Sequence, residues 1–112
     1  MGVTWITGNT GSGKTTLARK MKNNNNILLD GDDMRGVWTD LKLTKADRCE
    51  NNLRIARLAA LLDRQGFEVI VAVIAPYREL RKQIKKITKC KFIYVEGGRE
   101  GDQFPYEHPN LY

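Results

Sequence analysis

The feature that most constrains the fold of this chain is its glycine-rich segment at residues 8–15, which reads GNTGSGKT. The segment matches the phosphate-loop pattern G-x-x-x-x-G-K-T at every position. It follows a short apolar run and precedes a helix-forming stretch that continues from Thr16 to Met21. A strand, a glycine-rich turn and a helix in this order direct main-chain N–H groups and the positive end of a helix dipole toward a phosphate. The segment therefore predicts a binding site for a nucleoside triphosphate.

The candidate nucleotide ligands are the residues of this loop and of the first helical turn behind it. Lys14 is predicted to reach the terminal phosphates, and the hydroxyl of Thr15 is predicted to bind Mg²⁺. A glycine-rich turn that binds nothing is the structural alternative, and the adjacent Lys-Thr pair argues against it. The predicted cofactor-binding residues are Gly8, Asn9, Thr10, Gly11, Ser12, Gly13, Lys14, Thr15 and Thr16.

Length and composition indicate a single domain over residues 1–112, with an ordinary content of 41% hydrophobic and 29% charged residues. No apolar run approaches the roughly 20 residues of a membrane span. The first residues already read as a strand, so no signal peptide is expected. Cys49 and Cys90 lack a metal-binding spacing, which favours reduced thiols and a cytoplasmic location. A homodimer is left open.

The net charge of +6 favours an anionic ligand. A small doubly phosphorylated substrate and a nucleic acid would both explain it, and charge alone does not separate them.

The hydrophobic pattern predicts alternating strands and helices, and therefore a parallel α/β sheet with right-handed crossovers and helices on both faces. The continuous β-branched run at 69–74 is typical of a strand buried on both sides. Thr44 and Asp47 resemble a capping box at the start of a long helix. Strands are predicted at 3–7, 27–29, 69–74 and 92–95, and helices at 14–21, from 31, 44–65 and 79–88, in a three-layer α/β/α sandwich with four strands.

Two carboxylates follow the second predicted strand. Asp30 and Asp32 flank a glycine at the carboxyl end of that strand, the edge at which α/β sheets bind their ligands. Phosphoryl transfer needs a carboxylate that orients Mg²⁺ and accepts the proton of the attacking hydroxyl. The alternative is a solvated turn, because Asp-Gly-Asp is common in turns. The neighbouring phosphate loop favours a catalytic role.

Several donors are candidates for holding an anionic second substrate. Arg35 lies one turn into the short helix, and Arg48, Asn51 and Asn52 share one face near the start of the long helix. Plain surface charge is the alternative. Segment 74–78 closes the third strand and is expected to border the same site.

The remaining conspicuous side chains are given structural interpretations. A solvated helix face is predicted for Arg81, Lys82, Lys85 and Lys86, with nucleic-acid contact as the alternative. His108 is interpreted as a residue of an irregular tail. Trp5 and Trp38 are left open between core and pocket lining.

Taken together, these segments resemble the adenylylsulfate kinases. The resemblance is carried by residues 8–16, by LDGDDMR at 29–35, by DRCEN at 47–51 followed by Arg54, and by IAPYR at 74–78. It implies a P-loop fold of the nucleotide-kinase type, with ATP and Mg²⁺ as cofactors. It also implies phosphorylation of the 3′-hydroxyl of adenosine 5′-phosphosulfate.

The resemblance assigns roles to individual residues of this chain. It implies Asp32 as the catalytic carboxylate and metal ligand, supported by Asp30. It further implies that Arg35, Arg48 and Asn51 grip the acceptor while Ile74 lines its pocket.

The chain departs from the family pattern at several positions. Ala75 stands where the family usually has a serine, Leu43 replaces an aromatic residue expected to stack on the acceptor's adenine, and Leu53 replaces an arginine. After Val95 the family's lid segment is expected to be missing, with Arg99 as a weak substitute for a lid cation. These departures leave open a P-loop kinase for another hydroxyl (a nucleoside, a sugar or a polynucleotide 5′-end) and a nucleotide-binding protein without catalysis.

Overall fold

The computed structural model describes residues 2–9, 11–97 and 106–107. The predicted order of strands and helices is confirmed over these residues. The loop residue Thr10, the expected lid departure with Arg99, and His108 lie outside them. The elements are β1 (Gly2–Gly8), α1 (Lys14–Met21), β2 (Asn26–Asp30), α2 (Gly31–Val37), α3 (Lys45–Arg64), β3 (Glu68–Ala72), α4 (Arg78–Thr88) and β4 (Lys91–Val95).

The four strands form one parallel sheet in the order β2-β3-β1-β4, which confirms the predicted α/β class. In the central strand β1, Trp5 lies opposite Val71 of β3 and Phe92 of β4. Because successive side chains of a strand alternate between the faces, each strand feeds two apolar layers. Trp5 and Val71 pack under α3 and α4, whereas Ile6 packs with Ala18 of α1 on the opposite face. The sheet is therefore covered on both sides.

Helix α3 begins where the sequence predicts. The hydroxyl of Thr44 accepts a hydrogen bond from the N–H of Asp47 at 3.2 Å. The carboxylate of Asp47 does not close the capping box, because it accepts instead from the N–H of Lys42 at 2.9 Å. The helix ends at Arg64, and Gly66 turns the chain with φ 95°. No helix in the described part of the chain has the length and apolar content needed to span a membrane.

Strand β3 is shorter than predicted. Residues 69–74 were expected to be strand, but β3 ends at Ala72, and Val73 and Ile74 belong to an irregular segment. The N–H of Val73 still reaches the carbonyl of Ile6, at 3.3 Å. The carbonyls of Val73 and Ile74 accept from the side chains of Trp5 and Asn52 instead of from a neighbouring strand. The β-branched pattern could not reveal this, because side-chain donors from elsewhere replace the strand ladder.

The prediction of a solvated basic face on α4 is wrong for Arg81. This arginine is only 2% exposed, and its guanidinium donates to the carbonyls of Ala75 and Glu107. Lys82, Lys85 and Lys86 are exposed, as predicted. The spacing of Arg81 places it beside the buried Leu80 and Ile84, on the inward side of the helix. Its partners come from other segments, so composition alone gave no sign of its burial.

Candidate functional site

The phosphate loop joins the carboxyl end of β1 to the start of α1. Gly11 and Gly13 have φ values of 77° and 97°, in the left-handed region that glycine enters most readily. Gly13 is the N-cap of α1 and makes no side-chain capping bond. The first N–H groups of the helix therefore lie open to an anion, as in other phosphate sites at helix N-termini.

Two details of the loop indicate that it is built to surround a ligand. The hydroxyl oxygen of Ser12 is buried and makes no hydrogen bond within the described residues, which is costly unless a ligand or water satisfies it. A Cβ at Gly8 would lie 2.5 Å from the carbonyl oxygen of Val95 and 2.9 Å from the Ser12 hydroxyl. The backbone at Gly8 is thus packed too closely for any side chain, whereas the unpartnered Ser12 hydroxyl leaves an open hydrogen-bonding position in the loop.

Lys14, the first residue of α1, brings a positive charge to the cleft beside the phosphate loop. Burial lowers the pKa of its ammonium group, and the carboxylates of Asp30 and Asp32 partly offset that effect. Desolvation disfavours the charged form of a lysine, whereas nearby anions favour it. A further anion beside Lys14 would therefore be bound favourably.

The two carboxylates have different surroundings. Asp30 caps α2, since its Oδ1 accepts from the N–H of Asp32 at 3.0 Å, and its Oδ2 accepts from the hydroxyl of Thr15 at 3.3 Å. Asp32 is exposed in the cleft. Asp30 is thus engaged in holding the start of α2 and Thr15, whereas Asp32 is exposed and lines the cleft.

These oxygen donors suit Mg²⁺. Magnesium in nucleotide sites takes one or two protein oxygens and fills the rest of its shell with water and phosphate. Thr15, Asp30 and Asp32 supply hard oxygens next to the phosphate loop. Within the described ranges no group of three or more His, Cys, Asp or Glu side chains could hold a metal by itself. A metal shared with the ligand's phosphates is the arrangement that these residues fit.

A cleft of about 160 Å³ brings the predicted carboxylates and acceptor residues together with Lys14 and Thr15 at the end of the phosphate loop. The predicted loop residues Gly8, Asn9, Gly11, Ser12 and Gly13 do not line this cleft. Its lining joins the phosphate loop and β2 to the start of α3 and the segment after β3. Thr16 does not line it and lies exposed on α1. The lining residues are Lys14, Thr15, Asp30, Gly31, Asp32, Arg35, Arg48, Asn51, Asn52, Ala72, Val73, Ile74 and Pro76.

The side of the cleft away from the loop is held by buried amides of α3. Asn51 is 3% exposed, and its Oδ1 accepts from the indole N–H of Trp38 at 2.7 Å. An indole can only donate, so the contact fixes which end of the amide faces Trp38 and leaves the NH₂ group of Asn51 for the cleft. Asn52 is equally buried and donates to the carbonyls of Arg48 and Ile74 at 3.0 and 3.2 Å. Asn52 thereby joins α3 to the segment that follows β3.

Sequence reasoning missed the parts played by Trp38 and Arg81. Trp38 was left open between core and pocket, and it proves to orient a cleft residue and to lie beneath the guanidinium of Arg54, 5.7 Å from the ring centre. Arg54 in turn holds Asp40 through two hydrogen bonds of 2.8 Å. The polar Asn51-Asn52 pair in an otherwise apolar helix face was the available signal, because buried amides need partners.

A phosphate loop and paired aspartates at the carboxyl edge of a parallel sheet define a P-loop α/β protein of the nucleotide-kinase type. The sequence profile described as adenylylsulphate kinase matches residues 1–98, so the chain belongs to that family. A curated relative, the adenylyl-sulfate kinase of Paraburkholderia xenovorans, is 43% identical over 100 residues that cover 83% of this chain and 56% of the relative. The chain thus spans about half the length of the curated relatives it matches.

Solved structures give the same family. A cysteine-to-alanine mutant of the Mycobacterium tuberculosis APS kinase superposes with a TM-score of 0.80 at 33% identity, covering 98% of this chain and 80% of that one. The same kinase in complex with AMPPNP and APS superposes with a TM-score of 0.71 at 36% identity, covering 83% of this chain and 60% of that one. The architecture described above is therefore that of known APS kinases.

Proposed function

We propose that this chain transfers the γ-phosphoryl group of ATP to the 3′-hydroxyl of adenosine 5′-phosphosulfate, giving 3′-phosphoadenosine 5′-phosphosulfate. The observation that carries the proposal is the cleft in which Lys14 and Thr15 of the phosphate loop meet Asp32 and the donors of α2 and α3. Membership of the adenylylsulphate kinase family supports the choice of acceptor. The relative crystallised with AMPPNP and APS supports the pairing of an ATP-type nucleotide with this acceptor.

On the nucleotide side, the loop amides and Lys14 bind the β- and γ-phosphates and offset the charge that develops on the transferred group. Thr15 and Asp32 would hold Mg²⁺, which would supply positive charge that lowers the repulsion between the phosphates and the attacking hydroxyl. Asp30 keeps the hydroxyl of Thr15 in place through its 3.3 Å contact.

On the acceptor side, Asp32 accepts the proton of the 3′-hydroxyl while the hydroxyl oxygen forms the new bond to the γ-phosphorus. The bond from that phosphorus to the bridging oxygen of the β-phosphate breaks at the same time, and ADP leaves. The exposure of Asp32 in the cleft leaves its carboxylate open to an incoming hydroxyl. Arg35 and Arg48 bind the phosphosulfate, because guanidinium groups match the geometry of oxyanions. Asn51 donates its NH₂ group to the acceptor, and Ile74 supplies an apolar wall. The rate arises from positioning and charge neutralisation.

A coupled assay of ADP release with ATP, Mg²⁺ and adenosine 5′-phosphosulfate tests the proposal. The same assay with a nucleoside, a sugar and a 5′-hydroxyl oligonucleotide separates it from a P-loop kinase for another hydroxyl. Turnover that depends on an acceptor from this panel, but not on adenosine 5′-phosphosulfate, would reassign the substrate. No acceptor-dependent turnover with any of them, despite ATP binding by calorimetry, would leave a nucleotide-binding protein without kinase activity.

Asp32→Asn tests the role of the carboxylate. Loss of a general base costs about 10²–10⁴-fold in rate, so we expect a fall of that size in kcat. ATP binding by calorimetry should persist. Asp33→Asn is the matched control, because Asp33 is also exposed in the first turn of α2 but does not line the cleft. Equal activity in the two variants would contradict the assignment of Asp32.

A further inference from the structure

The wall of the cleft after β3 is an irregular segment whose carbonyl groups are held by distant parts of the chain. Trp5 Nε1 donates to the carbonyl of Val73 at 3.3 Å, and Asn52 Nδ2 donates to that of Ile74 at 3.2 Å. Arg81 holds the carbonyl of Ala75. The N–H of Glu107 donates to the carbonyl of Pro76 at 2.6 Å. Four consecutive carbonyls thus have four different donors, which fixes the path of the wall residue by residue.

Among the four donors to these carbonyls, Arg81 is the one whose donating group carries a charge. Its side chain is 2% exposed, and it donates both to Ala75 of the wall and to the carbonyl of Glu107. Its guanidinium also lies 4.8 Å from the ring centre of Tyr106. Burial of a guanidinium is costly unless its donors are satisfied. Arg81 therefore joins the wall to residues 106–107 through hydrogen bonds whose loss would leave a buried charge unsatisfied.

Residues 106–107 are fastened at three further points. The hydroxyl of Tyr106 lies 2.8 Å from that of Thr7, which also accepts from the N–H of Ala75 at 3.3 Å. The carboxylate of Glu107 accepts from the N–H of Arg78 at 2.8 Å, in the first turn of α4. The Tyr106 ring packs 5.4 Å from that of Tyr94 in β4. This pair of residues therefore bridges β1, β4, α4 and the wall.

We propose that Arg81, Tyr106 and Glu107 form a positioning unit that sets the cleft wall at residues 73–76 for binding of the acceptor. These three residues do not line the cleft, whereas the wall residues Val73, Ile74 and Pro76 do. Arg81 and Glu107 hold two of the four wall carbonyls, those of Ala75 and Pro76, so we expect the unit to affect acceptor affinity more than nucleotide affinity. The inference rests on the proposed function for the identity of the acceptor.

The test compares three variants of the full chain with a matched control. Tyr106→Phe removes the hydroxyl that meets Thr7 while keeping the ring, Arg81→Met removes the donors, and Arg81→Lys keeps the charge with one donor group. Lys82→Met is the control, because Lys82 is adjacent on α4 and its side chain is 74% exposed. For each protein, KM for adenosine 5′-phosphosulfate and for ATP, and amide hydrogen exchange of the peptide covering 73–77, are measured.

We expect Arg81→Met to raise the acceptor KM about tenfold, the size of one hydrogen bond from a charged donor, with the ATP KM within about twofold of its original value. Tyr106→Phe should raise the acceptor KM by a smaller factor, and Arg81→Lys should recover part of the loss. Exchange over 73–77 should be faster in Arg81→Met and Tyr106→Phe and unchanged in Lys82→Met.

Two results would overturn the positioning unit. One is an ATP KM that rises as much as the acceptor KM, which would indicate general loss of structure. The other is unchanged exchange over 73–77 in both Arg81→Lys and Tyr106→Phe, a measurement that remains available if Arg81→Met does not fold. If the unmodified chain has no activity toward adenosine 5′-phosphosulfate, the proposed function fails, and the exchange measurement still decides whether these residues hold the wall.

Discussion

The partly buried position of Lys14 in the cleft disfavours the charged form of its ammonium group when no anion is bound. Burial lowers the pKa of Lys14 below 10.5, and Asp30 and Asp32 offset this only in part. The unfolded chain therefore binds a proton at this lysine more readily than the folded chain does. Stability then increases with pH between the folded and unfolded pKa values, and the charged lysine is a net cost at any pH below the folded pKa. The same desolvation would strengthen the attraction between the Lys14 ammonium and a bound phosphate.

We predict that Lys14→Met raises the melting temperature of the nucleotide-free protein at neutral pH and abolishes its stabilisation by ATP. The gain in melting temperature should shrink as pH approaches 10.5, the ordinary lysine pKa, because the original lysine then loses its charge too. Thermal unfolding at several pH values measures this. Lys20→Met, an exposed change on the same helix, is the control. A lower melting temperature for Lys14→Met at neutral pH would contradict the prediction.

Trp38 acts on the site through Asn51. Its indole N–H holds Asn51 Oδ1 at 2.7 Å and so decides which end of the amide faces the cleft. We predict that Trp38→Phe raises the acceptor KM about fivefold, because Asn51 loses its fixed orientation, and leaves the ATP KM unchanged. In a double-mutant cycle with Asn51→Ala, the two effects should be strongly non-additive. Additive effects would mean that Trp38 acts on the acceptor independently of Asn51.

The join between β1 and α1 leaves no room for a side chain at Gly8. Any side chain at Gly8 would meet the backbone of β4 at Val95, which cannot move away without breaking the sheet. We predict that Gly8→Ala abolishes ATP binding measured by calorimetry. Gly36→Ala is the control, because a Cβ there meets nothing within 4 Å, and alanine in helix α2 should add about 0.5–1 kcal/mol of stability. Nucleotide binding retained in Gly8→Ala would contradict the assigned phosphate loop.

Local patterns were sufficient to predict the elements that depend on neighbours in the sequence. The phosphate loop, the cap at Thr44 and the order of strands follow from spacing that lies within a few residues. The irregular wall and the burial of Arg81 depend on contacts that cross from residue 5 to 73 and from 81 to 107. The periodicity of apolar residues indicates which side of a helix or strand is buried, but it does not indicate which distant donor will hydrogen-bond to a given carbonyl.

The two halves of the cleft follow different strands of one sheet. The phosphate loop leaves the central strand β1, whereas the wall at residues 73–76 follows β3 and Asp32 follows β2. Ligands at both halves would therefore connect three strands and α3. A ligand that binds only the folded state stabilises it by RT ln(1 + [L]/Kd), which is about 2.7 kcal/mol at one hundred times Kd.

We predict that the nucleotide raises the melting temperature of the chain and that adenosine 5′-phosphosulfate raises it further. ATP with Mg²⁺ at one hundred times its Kd should raise the melting temperature by roughly 10–20 °C, since 1 kcal/mol shifts a domain of this size by about 4–8 °C. ATP with EDTA should give a smaller shift, because Thr15 and Asp32 then hold no metal beside the phosphates.

Adenosine 5′-phosphosulfate added with ADP and Mg²⁺, a mixture that cannot turn over, should raise the melting temperature further in the original chain but little in Arg48→Met. An equal shift in both proteins would place the acceptor away from α3, whereas Lys14→Met should lose the nucleotide shift alone. The pattern of losses then assigns each half of the cleft to its ligand without relying on catalysis.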